Sequence, residues 1–416
     1  MSATISKPSQ AALRREQFRD YMRNLNPTAP AKTAVDSGLV IEEIHASLFR
    51  TLAARADLDP GSQQLVVGGT GSGKTTELLM AEKWLREQGQ TVPLYIDVSG
   101  DTDLSALKSG ALLASFGLRL AREFHLLPGG GDGVPPRLDT LVKQFAFGKT
   151  EATLMPAGDW HAIAEAYAPP LNLVYNRTPG KLNPRFPVLP RDVEEIAGIL
   201  ESCVAAFGSR AIDIIVIFDG LDRLIFPEKF WAVVDQDLRV LRRLKVSVLA
   251  AAPLSTLYGE GRAISEHFDR IHQVRAVVPE LTGRSVLKSV LSRRDNTGLL
   301  HDAEAELICS FSGGVLRDLL TLARDAGEIA YIEGTPYIYP EHVASAVAQL
   351  GEGYRRGLSP THIEILRRLE KEHAFDPSSN DGVELLVTGR VIEYSATDFR
   401  VHPALAPLIA QNDTYA

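Results

Sequence analysis

The sequence predicts an α/β chain: a parallel sheet with helices on both faces, then an all-helical subdomain, then a small α+β module. Three observations lead there. Short apolar runs alternate with helix-period stretches between residues 64 and 250, the pattern of parallel strands joined by crossover helices. Residues 281–350 hold about four helical patterns and no strand pattern of comparable strength. Residues 358–409 change again, to two helices and a hairpin. At 416 residues the chain is too long for one core, so two or three domains are expected.

Residues 1–37 form a basic N-terminal arm, in which Lys7, Arg14, Arg15, Arg19, Arg23 and Lys32 outnumber Glu16 and Asp20 up to residue 35. A short helix over 11–25 ends at the Asn26-Pro27 break, and the arm is either solvated or docked. Residues 38–278 form the α/β core. Val40, Ile44 and Leu48 fall at i, i+4 and i+8, which predicts an amphipathic helix over 40–52. Leu65, Val66 and Val67 make a short buried strand, followed by a Gly-rich turn and a helix over 74–87. A second strand covers 91–98 and a mostly apolar helix covers 104–124. Between about 127 and 190 the composition shifts. Glycines run between Pro128 and Pro136, and prolines recur at 156, 169, 170, 179, 184, 187 and 190. A compact sheet rarely tolerates that density, so this reads as an insertion of loops and short helices. Helix 192–207, strand 212–218, helix 229–244 and strand 246–250 complete the core. Residues 279–351 are the helical subdomain and 352–416 the terminal module.

Composition narrows the function classes. Hydrophobic residues at 45% and charged residues at 23% fit a soluble globular chain and exclude a disordered one. The longest apolar runs fall well short of the roughly 18 residues needed to span a bilayer, so no membrane partner is expected. The start of the chain reads as lacking a secretory signal. Cys203 and Cys309 show neither a disulfide framework nor metal-ligand spacing, and are expected to be buried thiols in the cytoplasm. A formal charge of −8 opposes general coating of nucleic acid.

The strongest signal is Gly68-Gly69-Thr70-Gly71-Ser72-Gly73-Lys74-Thr75, followed by Thr76. It matches G-x-x-x-x-G-K-[ST] at every fixed position, with a strand before it and a helix after. Glycines let consecutive N–H groups turn inward on a phosphate chain, and the helix dipole adds positive potential. Lys74 can reach the outer phosphates and the Thr75 hydroxyl can ligate Mg²⁺. A nucleotide ligand follows. The metal needs a second oxygen, and the apolar strand that ends in Asp219 supplies it, 145 residues after Lys74. This resembles the Walker B element of P-loop ATPases. The position after Asp219, where many ATPases carry Glu, is Gly220. The next acid, Asp222, makes the segment look like the DGLD element of STAND signalling ATPases, and that resemblance makes Asp222 the candidate base.

At this point the chain resembles the AAA+ superfamily, above all its origin-recognition-type and STAND branches, over residues 40–350. Phe311-Ser-Gly-Gly-Val-Leu-Arg-Asp-Leu-Leu320 and Ile338-Tyr-Pro-Glu-His-Val343 support it beyond the nucleotide motifs. The resemblance makes the helical subdomain a lid. It implies ATP as the nucleotide and a sensor 2 role for Arg317, which would contact the γ-phosphate. It also implies an arginine finger between residues 259 and 271, with Arg270 the better fit and Arg262 the next, and hence a homo-oligomer on ATP. The segment Phe311–Val315 is not an ABC-transporter signature, because its Ser312 follows Asp219 by 93 residues and no glutamine comes after its glycines. One departure is plain: the sensor 1 strand ends Ala250-Ala-Ala-Pro253 without the usual polar residue, which implies either slow hydrolysis or a switch that mainly exchanges nucleotide.

The terminal module resembles a winged helix, opened by the Ser359 cap and Pro360. Its presumptive recognition helix, residues 381–388, carries no basic residue, and from Glu352 onward seven Lys or Arg face ten Asp or Glu. DNA affinity comes largely from phosphate neutralisation, so duplex DNA is a partner the fold allows and the charge disfavours. Docking on its own core suits the balance better. The favoured function is an ATP- and Mg²⁺-dependent molecular switch that changes assembly or engages a protein effector, and the resemblance implies a role in prokaryotic signalling or defence. The alternatives are a DNA-loading ATPase of initiator or transposition-regulator type, and a non-hydrolysing nucleotide-bound scaffold.

Overall fold

Five strands form one sheet: β1 (Gln63–Gly68), β2 (Thr91–Asp97), β3 (Asp213–Asp219), β4 (Ser247–Ala252) and β5 (Arg270–Val274), in the order β2-β3-β4-β1-β5. The ladders β2–β3, β3–β4 and β4–β1 are parallel. The computed structural model describes residues 10–89, 91–102, 104–105, 107–126, 190–208, 212–224, 226–258, 264–280 and 282–410. The Pro-rich insertion up to residue 189 and Arg262 lie outside them. The chain divides into two units, 1–47 with 69–73 and 274–416, and 48–68 with 74–273.

The second unit holds the sheet. Ile214 to Phe218 are buried on both faces, as a continuous apolar run requires of an inner parallel strand. Each such side chain contributes roughly 1.5–3 kcal/mol by leaving water. Helices α3 (Leu48–Leu58), α4 (Lys74–Gln88), α6 (Ala111–Leu126), α7 (Pro190–Gly208) and α8 (Pro227–Arg243) cover it, and a short α5 (Val98–Asp101) follows β2. Two expectations are corrected and one strand is added. The helix predicted over 40–52 is broken: a 3-10 turn at Glu42–His45 ends where Ala46 and Ser47 take φ of 51° and 57°, and α3 begins only at Leu48. The helix predicted from 104 begins at Ala111, because its N-terminal turn is fixed from another element. The buried Asp237 carboxylate of α8 accepts from the N–H of Gly110 at 2.6 Å, Leu112 at 3.0 Å and Leu113 at 3.4 Å. Strand β5 is not expected from the sequence; its exposed residues Arg270 and Ile271 give it no apolar run to detect. Replacing Asp237 with alanine strands three buried donors and should cost roughly 2–4 kcal/mol. Urea unfolding would measure this, and an unchanged midpoint would refute the capping role.

In the first unit, α1 (Gln10–Asn24) and α2 (Ala31–Asp36) precede four helices, α9 (Thr282–Arg294), α10 (Asp302–Phe311), α11 (Leu316–Ile332) and α12 (Pro340–Arg355). The basic arm's helix is docked, not solvated. The buried Tyr21 donates its hydroxyl to the Ala323 carbonyl at 2.9 Å. It lies over Gly327, where a Cβ would stand 2.6 Å from its ring. Arg14 donates to the carbonyls of Ala330, Tyr331 and Thr335, at and just beyond the C-terminal end of α11, where helix carbonyls lack intrahelical donors.

The terminal module consists of α13 (Pro360–Glu372), α14 (Asn380–Val387), the antiparallel hairpin β6 (Val391–Ser395) and β7 (Asp398–Val401), and α15 (Ala406–Ala410). Ser359 caps α13 by accepting from His362 N–H at 3.1 Å. The buried Asp318, on α11, ties the module to the four-helix subdomain. Its Oδ2 accepts from the Tyr354 hydroxyl at 2.6 Å and lies 3.1 Å from His402 Nε2. Ala404 N–H donates to His402 Nδ1 at 3.2 Å, which orients the ring with Nε2 facing the carboxylate. Cys203 and Cys309 are buried, and burial pushes their thiols up to about 11 and about 12. No helix among the described residues is long and apolar enough to cross a membrane.

Candidate functional site

Between the end of β1 at Gly68 and the start of α4 at Lys74, the backbone turns on two glycines. Gly71 and Gly73 have φ of +82° and +111°, which side-chain-bearing residues avoid. A Cβ on Gly71 would also meet the Arg317 side chain at 2.6 Å, and one on Gly73 would press on His45 and Leu316 at 3.2 Å. Gly69 has open space where its Cβ would be, so its role is not steric. Thr70 is exposed, while Ser72 is buried with no hydrogen-bond partner for its Oγ. That orphaned hydroxyl suits a ligand with acceptor oxygens.

The first unit holds residues 69–73 against two side elements. Arg317 N–H, in the first turn of α11, donates to the Gly71 carbonyl at 3.3 Å. His45 Nε2 lies 2.9 Å from the Ser72 carbonyl, and burial lowers its pKa, which favours a neutral ring donating that bond. Sequence reasoning misses His45. Its only signal is one histidine in an amphipathic stretch, with nothing to show that the helix breaks there.

In the second unit, parallel pairing puts the C-terminal ends of β1 and β3 on one edge of the sheet, with β4 between them. Ligands of open α/β sheets bind at that edge. Lys74 is 4% exposed. Its Nζ donates to the Gly68 carbonyl at 2.8 Å and to Asp222 Oδ2 at 2.9 Å. Asp219 is equally buried: Gly220 N–H donates to its Oδ1 at 2.8 Å and the Tyr95 hydroxyl to its Oδ2 at 2.6 Å. The Thr75 hydroxyl bonds to it as well. Burial raises the Asp219 pKa, the Tyr95 bond opposes that, and the charge of Asp222 adds to the rise. A desolvated carboxylate of this kind is stabilised by a cation. Hydroxyl and carboxylate are hard oxygen donors suited to Mg²⁺, which binds through one or two carboxylates plus phosphate oxygens and water. Among the described residues no cluster of three His, Cys, Asp or Glu could hold a metal by itself.

The predicted residues therefore fall into groups. Lys74, Thr75, Asp219 and Asp222 come together in one unit, and Gly71, Ser72, Gly73 and Arg317 in the other; Thr76 continues α4. Arg270 is the exposed first residue of β5, which is the edge strand beyond β1. The strand expected to carry a polar sensor does end in buried alanines, Ala250 to Ala252. Polar side chains follow at once, in the buried Ser255 and Thr256 of the next 3-10 turn.

Among solved structures, the chain is similar to one in a Drosophila ORC bound to DNA, at 13% identity, covering 99% of this chain and 87% of that one with a TM-score of 0.44. It is similar to the Aeropyrum pernix ORC1 protein in complex with DNA, at 18% identity, 94% and 96% coverage and a TM-score of 0.43. A third likeness is to a point variant of Thermotoga maritima RuvB, at 12% identity, 89% and 95% coverage and a TM-score of 0.41. No protein-family model and no curated protein matches the sequence.

Proposed function

We propose that the chain is an ATP-dependent molecular switch that binds Mg·ATP at the loop of residues 68–76 and hydrolyses it slowly. The observation that carries this reading is the buried pair of charges at one end of the sheet, the Lys74 ammonium and the Asp219 carboxylate, where the strand before the glycine turn ends and the helix after it begins. Backbone N–H groups of the loop and Lys74 would hold the phosphates, and Thr75 and Asp219 would hold Mg²⁺, which when bound neutralises phosphate charge and orients the chain. Asp222 grips Lys74 here. With a triphosphate attracting the ammonium, Asp222 is released to accept a proton from water as that water attacks the γ-phosphorus and the bond to the ADP oxygen breaks. Such an exchange of partners accords with slow turnover.

Arg317 would read the γ-phosphate. Asp318, the next residue, is gripped by Tyr354 and His402, so a shift of the first turn of α11 is passed to the terminal module. That gives ATP and ADP different energies in two arrangements, which a switch requires. Arg270, exposed at the sheet edge, would act on a neighbouring copy. Recognition of a protein effector is favoured over duplex DNA by α14, where Asp381 and Glu384 face His362 and no Lys or Arg occurs.

The test is mass in solution with ADP and then with a non-hydrolysable ATP analogue. A larger assembly with the analogue is expected, reversed by Arg270→Ala. Equal masses would remove the oligomer, and release of no phosphate at all would leave a nucleotide-bound scaffold. Retention of duplex DNA that is ATP-dependent and lost with rising salt would turn the reading to a DNA-loading ATPase.

A further inference from the structure

Tyr95 belongs to neither nucleotide motif. It lies on β2, paired in register with Ile217 of β3, two residues before Asp97 meets Asp219 at the strand ends. Its hydroxyl donates to Asp219 Oδ2 at 2.6 Å, among the shortest hydrogen bonds in the site, while Gly220 N–H holds Oδ1 at 2.8 Å. We propose that Tyr95 is a positioning residue that sets the affinity of this site for its divalent cation through Asp219, an inference that rests on the Mg·ATP reading above.

The physical reason lies in the carboxylate. Its terminal torsion is soft, so a buried Asp with one donor can turn about its axis. One donor on each oxygen fixes the plane. A carboxylate has about four lone-pair directions, and those left over then point to set positions before any metal arrives. Thr75, the other oxygen donor, bonds to the same carboxylate, so phenol, carboxylate and hydroxyl form one chain ending at the first turn of α4. Partners of ligating carboxylates typically contribute 10–100-fold to metal affinity. The plainer alternative is that Tyr95 merely satisfies a buried acid and packs β2 on β3. The two differ in one respect: packing does not depend on Mg²⁺.

Tyr95→Phe removes the hydroxyl and keeps the ring. Retention of a fluorescent ATP analogue by the full chain would be titrated with MgCl₂, and measured again in EDTA. We expect the variant to keep wild-type affinity in EDTA and to need about tenfold more Mg²⁺ for half-maximal tightening. An unchanged Mg²⁺ midpoint overturns the proposal, and so does an equal loss with and without metal, which marks a structural role. If Tyr95→Phe unfolds, the proposal is tested from the other partner. Asp219→Asn should raise the Mg²⁺ midpoint, and an Asp219→Asn chain with the wild-type midpoint overturns the role of both residues. A wild-type chain that retains no nucleotide in either buffer sinks the Mg·ATP reading itself, a result visible without any variant.

Discussion

Lys74→Ala is expected to weaken retention of ATP by at least about thirtyfold while the chain stays folded. The two halves of that statement have separate causes. Removing one partner from a buried, hydrogen-bonded charge pair costs roughly 2–5 kcal/mol, and about 1.4 kcal/mol is a factor of ten. Lys74 is 4% exposed and stands at the first position of α4, so a phosphate held there would lose its most desolvated cation. The fold survives because the partner left behind, Asp222, is 23% exposed and can be solvated. Lys74→Met retains the volume of the stem and should show the same loss, which separates charge from packing. Equilibrium binding of a labelled nucleotide to the three proteins decides it. Tight binding by either variant would mean that the loop does not use its lysine.

The sheet and the loop are legible in the sequence because each is a local pattern. Apolar runs of strand length place β1 to β4, and glycines at fixed spacing place the turn between β1 and α4. Asp219 is legible too, since a charged residue ending a buried strand has few bland explanations. What stays hidden depends on partners far along the chain. The start of α6 is set by Asp237, more than a hundred residues away, and nothing near Ala111 announces it. Strand β5 pairs at an exposed edge, where no hydrophobic pattern is needed. His45 and Tyr95 acquire their roles from a loop and a strand end that they reach only after folding. The docking of α1 follows from Gly327, whose missing side chain reads from sequence as a weak point in a helix and in the fold as the seat of Tyr21.

Gly220→Glu is the second large effect, and it bears on why the acid after Asp219 is absent. Restoring the usual Asp-Glu pair should not produce a faster ATPase; it should destabilise the chain by about 3 kcal/mol or more and lower nucleotide retention. Gly220 has φ of +81°, and a Cβ there would come within 2.9 Å of the Ser99 backbone nitrogen and 2.8 Å of its side chain. Left-handed backbone costs a non-glycine residue about 1 kcal/mol or more, and the overlap must be relieved by moving either α5 or the turn that follows β3. Both flank Asp219, whose Oδ1 depends on the N–H of residue 220 itself. Gly220→Ala distinguishes the causes, for it adds the Cβ and no charge. If the backbone decides, alanine and glutamate fall together in thermal midpoint and in retention. A Gly220→Glu chain that is stable and hydrolyses ATP faster than wild type would show instead that the turn yields freely, and that this position was left to glycine for reasons other than shape.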